Sequence, residues 1–342
     1  MARVSEAASP PPATDGPALG ARLRSGDRSA APAALNLIED RSDRGRAQTA
    51  ALLAELSPAA LGGEAPGHLV GVTGPPGAGK STLLSALTGE WRARGRTVAV
   101  LAVDPSSRRS GGSLLGDRAR IQHDPHDDGI LIRSTAAGGR LGGLAAPTRE
   151  AAQALAATFD VVVVETVGVG QSETDVEEVC DTVAVVVQPG SGDTLQFIKA
   201  GIMEVPDVLV VTKADLGDVA LRSRRDLVQA ARANGAREIP VVAVSSVPPP
   251  AGIGELADAL ERHRETIDLP ARRLRSRRLT ALRELVAEHG EASLRALGGR
   301  RAAERQLGDL DPELDVAALV AALRERATAP PPDGPIAENA PR

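Results

Sequence analysis

Residues 68–87 read His-Leu-Val-Gly-Val-Thr-Gly-Pro-Pro-Gly-Ala-Gly-Lys-Ser-Thr-Leu-Leu-Ser-Ala-Leu, and this stretch decides the fold. Its centre, residues 74–81, has the spacing G-x-x-x-x-G-K-[ST] of a phosphate-binding loop. The apolar run before it is typical of a strand, and residues 82–87 are typical of the start of a helix. This order of strand, glycine-rich loop and helix favours a phosphate site over an ordinary glycine-rich turn.

Each residue type in this loop suits a part of phosphate binding. Glycines let the backbone wrap closely around phosphate oxygens, so that successive N–H groups point at the anion. The Lys80 ammonium can reach the β- and γ-phosphates, which makes it a catalytic candidate, and the Ser81 hydroxyl can bind Mg²⁺. We predict that a nucleotide binds along Gly74, Pro75, Pro76, Gly77, Ala78, Gly79, Lys80, Ser81 and Thr82.

The composition argues against several other classes of protein. The chain has 342 residues, a net charge of −5 and only 1% aromatic residues, so no nucleic-acid partner is expected. Cys180 is the only cysteine, which rules out an internal disulfide and a multi-cysteine metal site. No apolar stretch is long enough to span a membrane, and the first residues lack a signal-peptide apolar region. We therefore expect a cytoplasmic protein with no membrane partner.

Apolar runs alternate with helical stretches through the central region. Several runs are apolar throughout, which is typical of parallel strands covered on both faces. The predicted fold class is α/β, with a mostly parallel sheet in a P-loop domain and helical extensions at both ends. The predicted strands are residues 68–73, 97–103, 130–133, 160–165, 182–188, 206–212 and 239–244.

The same patterns divide the chain into five segments. Residues 1–18 and 328–342 are rich in Ala, Pro and Ser or Pro and Gly, and are predicted to be disordered tails. Residues 19–65 form an N-terminal helical extension, residues 66–268 form the P-loop domain, and residues 269–327 form a C-terminal helical segment. This last segment is short, and we expect it to pack on the central domain or on another subunit rather than to have its own core.

Acidic residues follow two of the predicted strands. Asp104 ends the second strand, and ligands of an open parallel sheet bind outside the carboxyl ends of its strands. Glu165 ends a later strand, and Gly168 follows three residues on, a spacing that fits an acid for Mg²⁺-bound water and a glycine that senses γ-phosphate. Asp117 lies in the glycine-rich segment after Asp104. Asp104, Glu165 and Gly168 are candidates for catalysis, and Asp104, Asp117 and Glu165 are candidates for metal binding. The alternatives are a turn-capping role for Asp104 and, for Arg108 and Arg109 in the segment of Asp117, a solvated flexible loop.

Residues 212–215, Thr-Lys-Ala-Asp, have the x-K-x-D spacing that reads guanine. The Asp215 carboxylate would accept hydrogen bonds from the N1 and N2 groups of the base, and the Lys213 stem would pack on the ring. The usual first residue of such a tetrad is Asn, and this chain has Thr212. Ser245 and Ser246, after the last predicted strand, could support the base through backbone groups. A chance Lys-x-Asp at a turn is the alternative.

Residues 272–278 read Arg-Arg-Leu-Arg-Ser-Arg-Arg, a strongly basic run. The pattern favours a charged helix face, and a docking patch for an acidic partner is the second interpretation.

Several stretches together closely resemble the methylmalonyl-CoA mutase-associated GTPases, the MeaB/ArgK family. The resemblance runs from about residue 20 to residue 268 with nearly continuous spacing, and the stretch beginning at Val164 is especially specific. The matching stretches are Gly71-Val-Thr-Gly-Pro-Pro-Gly-Ala-Gly-Lys-Ser-Thr82, Ala102-Val-Asp-Pro-Ser-Ser107, 111–117, 141–143, Val164-Glu-Thr-Val-Gly-Val-Gly-Gln-Ser-Glu173 and residues 195–205.

The resemblance implies a Mg²⁺-dependent GTPase that binds GTP and GDP, usually as a homodimer formed through its C-terminal helices. It implies a partner, an adenosylcobalamin-dependent acyl-CoA mutase, for which the GTPase gates cobalamin delivery and protects or reactivates the enzyme. By position, Lys80 and Ser81 would carry phosphate and metal, and Asp104, Asp117 and Glu165 the metal and switch region.

Three departures from the family pattern are Thr212, Ser110 and Arg118, in place of the usual Asn, Thr and Lys. They bear on guanine affinity and on switch behaviour rather than on the fold. Two alternatives remain open: a kinase or ATPase that serves transport proteins, and a metallochaperone GTPase. Asp215 argues against the first, and the lack of Cys/His tracts argues against the second.

Overall fold

A computed structural model describes residues 15–104, 121–136, 144–166, 172–190, 206–233 and 239–328. The chain forms two compact units, Met1–Arg273 and Leu274–Arg342. The unit boundary therefore falls within the C-terminal helical segment, a few residues after its predicted start. Within the described residues, no helix combines the length and the apolar character needed to cross a membrane.

A seven-stranded sheet forms the centre of the first unit, in the order β3-β2-β4-β1-β5-β6-β7. Every pairing between neighbouring strands of this sheet is parallel. The seven predicted strands are all present, with small shifts at their ends, because their continuous apolar runs are buried on both faces. The strands are β1 (His68–Thr73), β2 (Val98–Asp104), β3 (Ile130–Ala136), β4 (Val161–Glu165), β5 (Thr182–Val187), β6 (Val208–Val211) and β7 (Val241–Ala243).

Helices cover both faces of this sheet. The described helices of the first unit, including one that continues into the second, are α1 (Gly16–Arg24), α2 (Ala31–Glu39), α3 (Asp43–Ala54), α4 (Pro58–Leu61), α5 (Lys80–Ala93), α6 (Ala146–Ala156), α7 (Ser172–Val179), α8 (Asp218–Ala233), α9 (Ile253–Thr266) and α10 (Leu269–His289). On one face, α5 and α9 pack around Trp91, which is fully buried. On the other, α6, α7 and α8 pack together with the N-terminal helices.

The N-terminal helices belong to the core of the sheet. Leu23, Ile38 and Leu52 are all completely buried in the cluster that includes β-strand side chains such as Val162. The first helix begins at Gly16, slightly before the predicted boundary, because the Asp15 side chain accepts a hydrogen bond from the Ala18 N–H and caps it.

The second unit has a hydrophobic core of its own. Its described helices after α10 are α11 (Glu291–Ala296), α12 (Arg300–Gly308) and α13 (Val316–Thr328). Leu285, Leu319 and Leu323 are completely buried within one cluster of this unit. The expectation that this segment lacks its own core is therefore wrong, because leucines spaced along four separate helices converge on one centre.

Candidate functional site

The phosphate-binding loop lies between the carboxyl end of β1 and the start of α5. Gly74, Gly77 and Gly79 have φ values of 148°, 77° and 88°, a region that side-chain-bearing residues rarely adopt. A Cβ atom on Gly74 would lie 2.2 Å from the carbonyl oxygen of Val186 on β5. The loop therefore needs glycine for its close approach to the sheet as well as for its backbone angles. The N-terminus of α5 opens directly onto this loop, as an anion site requires.

Lys80, the first residue of α5, is buried with only 6% of its surface exposed. Its ammonium donates hydrogen bonds to the carbonyl oxygens of Gly74, at 2.7 Å, and Pro75, at 3.1 Å. These bonds hold the Lys80 charge against the phosphate-binding loop, where phosphate oxygens can replace the two carbonyl oxygens as acceptors of its hydrogen bonds.

Ser81 and Glu165, which are 84 residues apart in sequence, meet at this edge of the sheet. The Ser81 hydroxyl lies 3.3 Å from Oε1 of Glu165, a residue that is 8% exposed. They meet because β4 lies beside β1, with Glu165 in register with Val72. A hydroxyl and a carboxylate are hard oxygen donors of the kind that Mg²⁺ prefers, so this pair fits that metal ion.

The backbone of Asp104 reaches the same edge. It is the last residue of β2, and β2 pairs with β4 through the register of Ala102 with Glu165. Asp117 and Gly168, the other two residues predicted to take part in metal binding or catalysis, lie outside the described residues.

The loop after β6 approaches the phosphate-binding loop directly. The Thr212 hydroxyl donates to the carbonyl oxygen of Ala78 at 2.6 Å. The Lys213 ammonium donates to Gly77, at 3.3 Å, and to the side chain of Gln188, at 2.9 Å. Lys213 has a left-handed φ of 53°, the only such non-glycine residue in the described chain. Side-chain hydrogen bonds therefore join the loop after β6 to the phosphate-binding loop in the protein itself.

Asp215 is exposed, and its orientation is set by Ser245. The Ser245 hydroxyl donates to Oδ1 of Asp215 at 2.9 Å, and Ser245 is itself fixed by backbone hydrogen bonds with Ala251 in both directions. The sequence suggested backbone support from Ser245 and Ser246; the side-chain bond to Asp215 was not anticipated. Ser246 is half-buried beside it.

Sequence reasoning also missed Gln188 as part of this site. Gln188 follows β5 directly, as Glu165 ends β4, so the same signal, a polar residue at the end of an apolar strand, could have identified it.

A second polar cluster lies at the opposite ends of the strands. His68 at the start of β1 bonds the Thr182 hydroxyl at 2.8 Å, and Thr182 bonds His263 of α9 at 2.9 Å. His263 pairs with Asp207 at 3.1 Å, and Arg272 pairs with the same carboxylate at 3.3 Å. Burial lowers the pKa of His68 to about 3. The cluster ties β1, β5, α9 and the start of α10 together, away from the phosphate-binding loop.

The basic run at residues 272–278 is partly internal. Arg273 and Arg277 are only 7% and 8% exposed. Arg273 binds the buried carboxylate of Asp181, and Arg277 donates to the carbonyl of Pro312 at 2.9 Å. The interpretation of the whole run as a charged, solvated helix face is therefore wrong for these two residues.

The parallel sheet, the glycine cradle and the Lys80, Ser81 and Glu165 arrangement define a P-loop nucleotide-binding protein. A family model described as methylmalonyl Co-A mutase-associated GTPase MeaB matches residues 31–297. The chain belongs to this family and is a GTPase.

Named relatives and a solved structure agree with this assignment. A probable GTPase of Mycobacterium tuberculosis is 44% identical over 257 residues, which cover 73% of this chain and 75% of the relative. The mitochondrial methylmalonic aciduria type A homolog of Caenorhabditis elegans is 41% identical over 210 residues, 59% of this chain and 52% of the relative. The crystal structure of a protein named LAO/AO transport system kinase has a TM-score of 0.57 and 28% identity, covering 95% of this chain and 99% of its own.

Proposed function

We propose that this GTPase is Mg²⁺-dependent and serves as a chaperone for an adenosylcobalamin-dependent acyl-CoA mutase. The observation that carries the catalytic part is the meeting of Ser81 and Glu165, at 3.3 Å, beside the Lys80 ammonium. The partner is suggested by the family description, which names methylmalonyl-CoA mutase, and by the relative named for methylmalonic aciduria.

In this proposal each described residue of the phosphate site has a separate task. The glycine loop and the α5 N-terminus hold the phosphates through backbone N–H groups. Lys80 leaves the carbonyls of Gly74 and Pro75 and neutralises charge that develops on the transferring phosphoryl group. Ser81 and Glu165 would hold Mg²⁺, with Asp104 at the same sheet edge, and the bound ion would supply charge stabilisation to the phosphate oxygens.

Asp215 selects guanine. Its carboxylate accepts hydrogen bonds from N1 and N2 of the base, which adenine cannot supply, and the Ser245 hydroxyl holds it in place at 2.9 Å. Lys213 crosses from this loop to the phosphate-binding loop, so its apolar stem lies beside the base position. In the family pattern, Asp117 would contribute to metal binding and Gly168 to sensing of the γ-phosphate; both lie outside the described residues.

The proposed cellular role requires GTP turnover that a partner controls. The described side chains of the phosphate site supply a cradle, a cation and metal ligands, and a partner that orders the remaining contacts is expected to stabilise the productive state. GTP binding and hydrolysis then gate the loading of cobalamin and protect or reactivate the mutase. The C-terminal helices form a homodimer, and the protein acts in the cytoplasm.

The test is steady-state GTP hydrolysis with and without a purified adenosylcobalamin-dependent acyl-CoA mutase. The proposal expects the rate to rise at saturating mutase, and the mutase to bind the GTP form more tightly than the GDP form. Lys80→Ala is the control that assigns the released phosphate to this chain. An unchanged rate, with no nucleotide-dependent affinity, would reject that mutase as the coupled partner.

A second candidate is a kinase or ATPase that serves transport proteins, favoured only by the name of the LAO/AO transport system kinase. It predicts preference for ATP and transfer of phosphate to a protein, both measurable with labelled nucleotide. A metallochaperone role predicts tight nickel or cobalt binding; in the described ranges no group of three or more His, Cys, Asp and Glu residues is arranged to hold a metal ion.

A further inference from the structure

Thr212 stands between the base-reading loop and the phosphate-binding loop. It follows β6 directly and is 4% exposed. Its hydroxyl oxygen lies 2.6 Å from the carbonyl oxygen of Ala78 and 3.3 Å from that of Val187. Its backbone N–H donates to the same Val187 carbonyl at 3.0 Å.

The hydroxyl of Thr212 has a single proton to donate. Both of its near neighbours are carbonyl acceptors, and the shorter distance assigns the proton to Ala78. Ala78 is completely buried, so its carbonyl would lose a bond that water cannot easily replace. The Thr212 hydroxyl therefore donates its proton to the protein backbone, and it has no second proton to donate to a purine acceptor such as N7 or O6.

The Lys213 ammonium also donates a hydrogen bond to the phosphate-binding loop. It bonds the Gly77 carbonyl and Gln188, while the next polar residue, Asp215, is turned towards Ser245. Two consecutive residues of the base-reading loop therefore hold the phosphate-binding loop, and the carboxylate further on supplies the acceptor for the base.

We propose that Thr212 is a positioning residue: it fixes the spacing between the phosphate-binding loop and Asp215, and it does not read the base. The inference rests on the proposed guanine role of Asp215 and deepens it. Without the Thr212 hydroxyl, the described side-chain bonds between the two loops would be reduced to that of the exposed Lys213 to Gly77 at 3.3 Å, and the spacing between the two ends of the nucleotide site would be less well fixed. GTP, which uses both ends, would lose affinity, whereas ATP, which uses the phosphate end, would lose little.

The experiment measures the affinities of GTP, 7-deaza-GTP and ATP for the full-length protein and for Thr212→Val, which keeps the shape and removes the hydroxyl. Thr212→Ser keeps the donor and is the matched control. We expect Thr212→Val to weaken GTP about tenfold, because the nucleotide must then itself order the two loops whose spacing this buried hydrogen bond fixes in the wild type, and one such bond is worth about that factor. ATP should weaken less than about threefold, and Thr212→Ser should resemble the wild type.

The analogue 7-deaza-GTP separates positioning from base reading. Because it lacks the N7 acceptor, a Thr212 that read N7 would be needed by GTP but not by the analogue. We expect Thr212→Val to weaken both equally; weakening of GTP alone would overturn the proposal. A merely structural defect would lower GTP and ATP affinity by the same factor, and that result would overturn it too.

The wild-type protein keeps the test decisive if Thr212→Val fails to fold. In that case 7-deaza-GTP should bind the wild type within about threefold of GTP, and a tenfold loss would count against the proposal. Equal wild-type affinities for GTP and ATP would instead refute the guanine role of Asp215. If Thr212→Val does fold, a preference for GTP that is the same in the wild type and in the variant would refute the positioning role alone.

Discussion

Replacing Arg273 with methionine should cost the first unit about 3–5 kcal/mol of unfolding free energy. Arg273 is 7% exposed, and its Nε and Nη2 donate to the Asp181 carboxylate at 2.9 and 2.7 Å. It also donates to the carbonyl oxygens of Ala65 and Gly67. Methionine keeps much of the apolar stem but leaves Asp181, 1% exposed, with the Leu69 N–H as its remaining bond in this cluster. A buried carboxylate without its cation accounts for most of the cost.

The assay is equilibrium unfolding in urea, followed by the fluorescence of Trp91. Trp91 is the only tryptophan and is completely buried in the first unit, so its signal reports that unit alone. Arg272→Met is the matched control, because the Arg272 side chain is 27% exposed and its pair with Asp207 should be worth about 1 kcal/mol. Adding Asp181→Asn to Arg273→Met removes the stranded charge and should recover at least about half of the loss.

Two results would refute this reasoning. The first is a loss below about 1 kcal/mol in Arg273→Met, which would mean that solvent or a neighbour screens the Asp181 carboxylate. The second is a double variant no more stable than Arg273→Met, which would locate the cost in packing rather than in charge.

Three further predictions concern the phosphate loop and the base of the sheet. Lys80→Ala should abolish GTP hydrolysis with little change in urea unfolding, and wild-type phosphate release would contradict its role. Gly74→Ala places a Cβ atom 2.2 Å from a β5 carbonyl oxygen and should weaken GTP binding at least about tenfold. Gly89→Ala, at an exposed position on α5, is the control: it should leave GTP binding intact and stabilise the protein by up to about 1 kcal/mol. Equal GTP affinities of the two variants would contradict the steric argument. Burial lowers the pKa of His68 from 6.5 to about 3, so between these pH values the imidazole is protonated in the unfolded chain and neutral in the folded protein. The free energy of unfolding should therefore fall as the pH drops through this range, by up to about 1.4 kcal/mol per pH unit. His68→Gln should remove that part of the slope in urea unfolding measured against pH, and an unchanged slope would contradict the burial argument.

Local spacing made the sheet and the phosphate loop predictable. The glycines, Lys80 and Ser81 occupy fixed offsets, and continuous apolar runs identify buried parallel strands without knowledge of their order. The convergence of Ser81 and Glu165 was also predictable, because carboxyl ends of parallel strands share one edge of the sheet.

The remaining features depend on long-range contacts that no local pattern encodes. Arg273 lies in a run that looks like a charged helix face, and its burial depends on distant partners, above all Asp181, the residue directly before β5. Ser245 gave a weak signal, because its bond to Asp215 requires two loops that are far apart in sequence. The core of the second unit depends in the same way on leucines from four helices, such as Leu285 and Leu323, meeting at one point.

The central claim, a guanine-selective nucleotide site, is tested most directly by calorimetric titration of the wild type and Asp215→Asn with GTP, ATP and XTP in Mg²⁺. A hydrogen bond to a charged group contributes about 1.5–3 kcal/mol, so the wild type should bind GTP at least about tenfold more tightly than ATP. Asp215→Asn should weaken GTP and strengthen XTP, whose base offers the complementary acceptor. Equal wild-type affinities for GTP and ATP, or no gain for XTP in Asp215→Asn, would contradict the assignment.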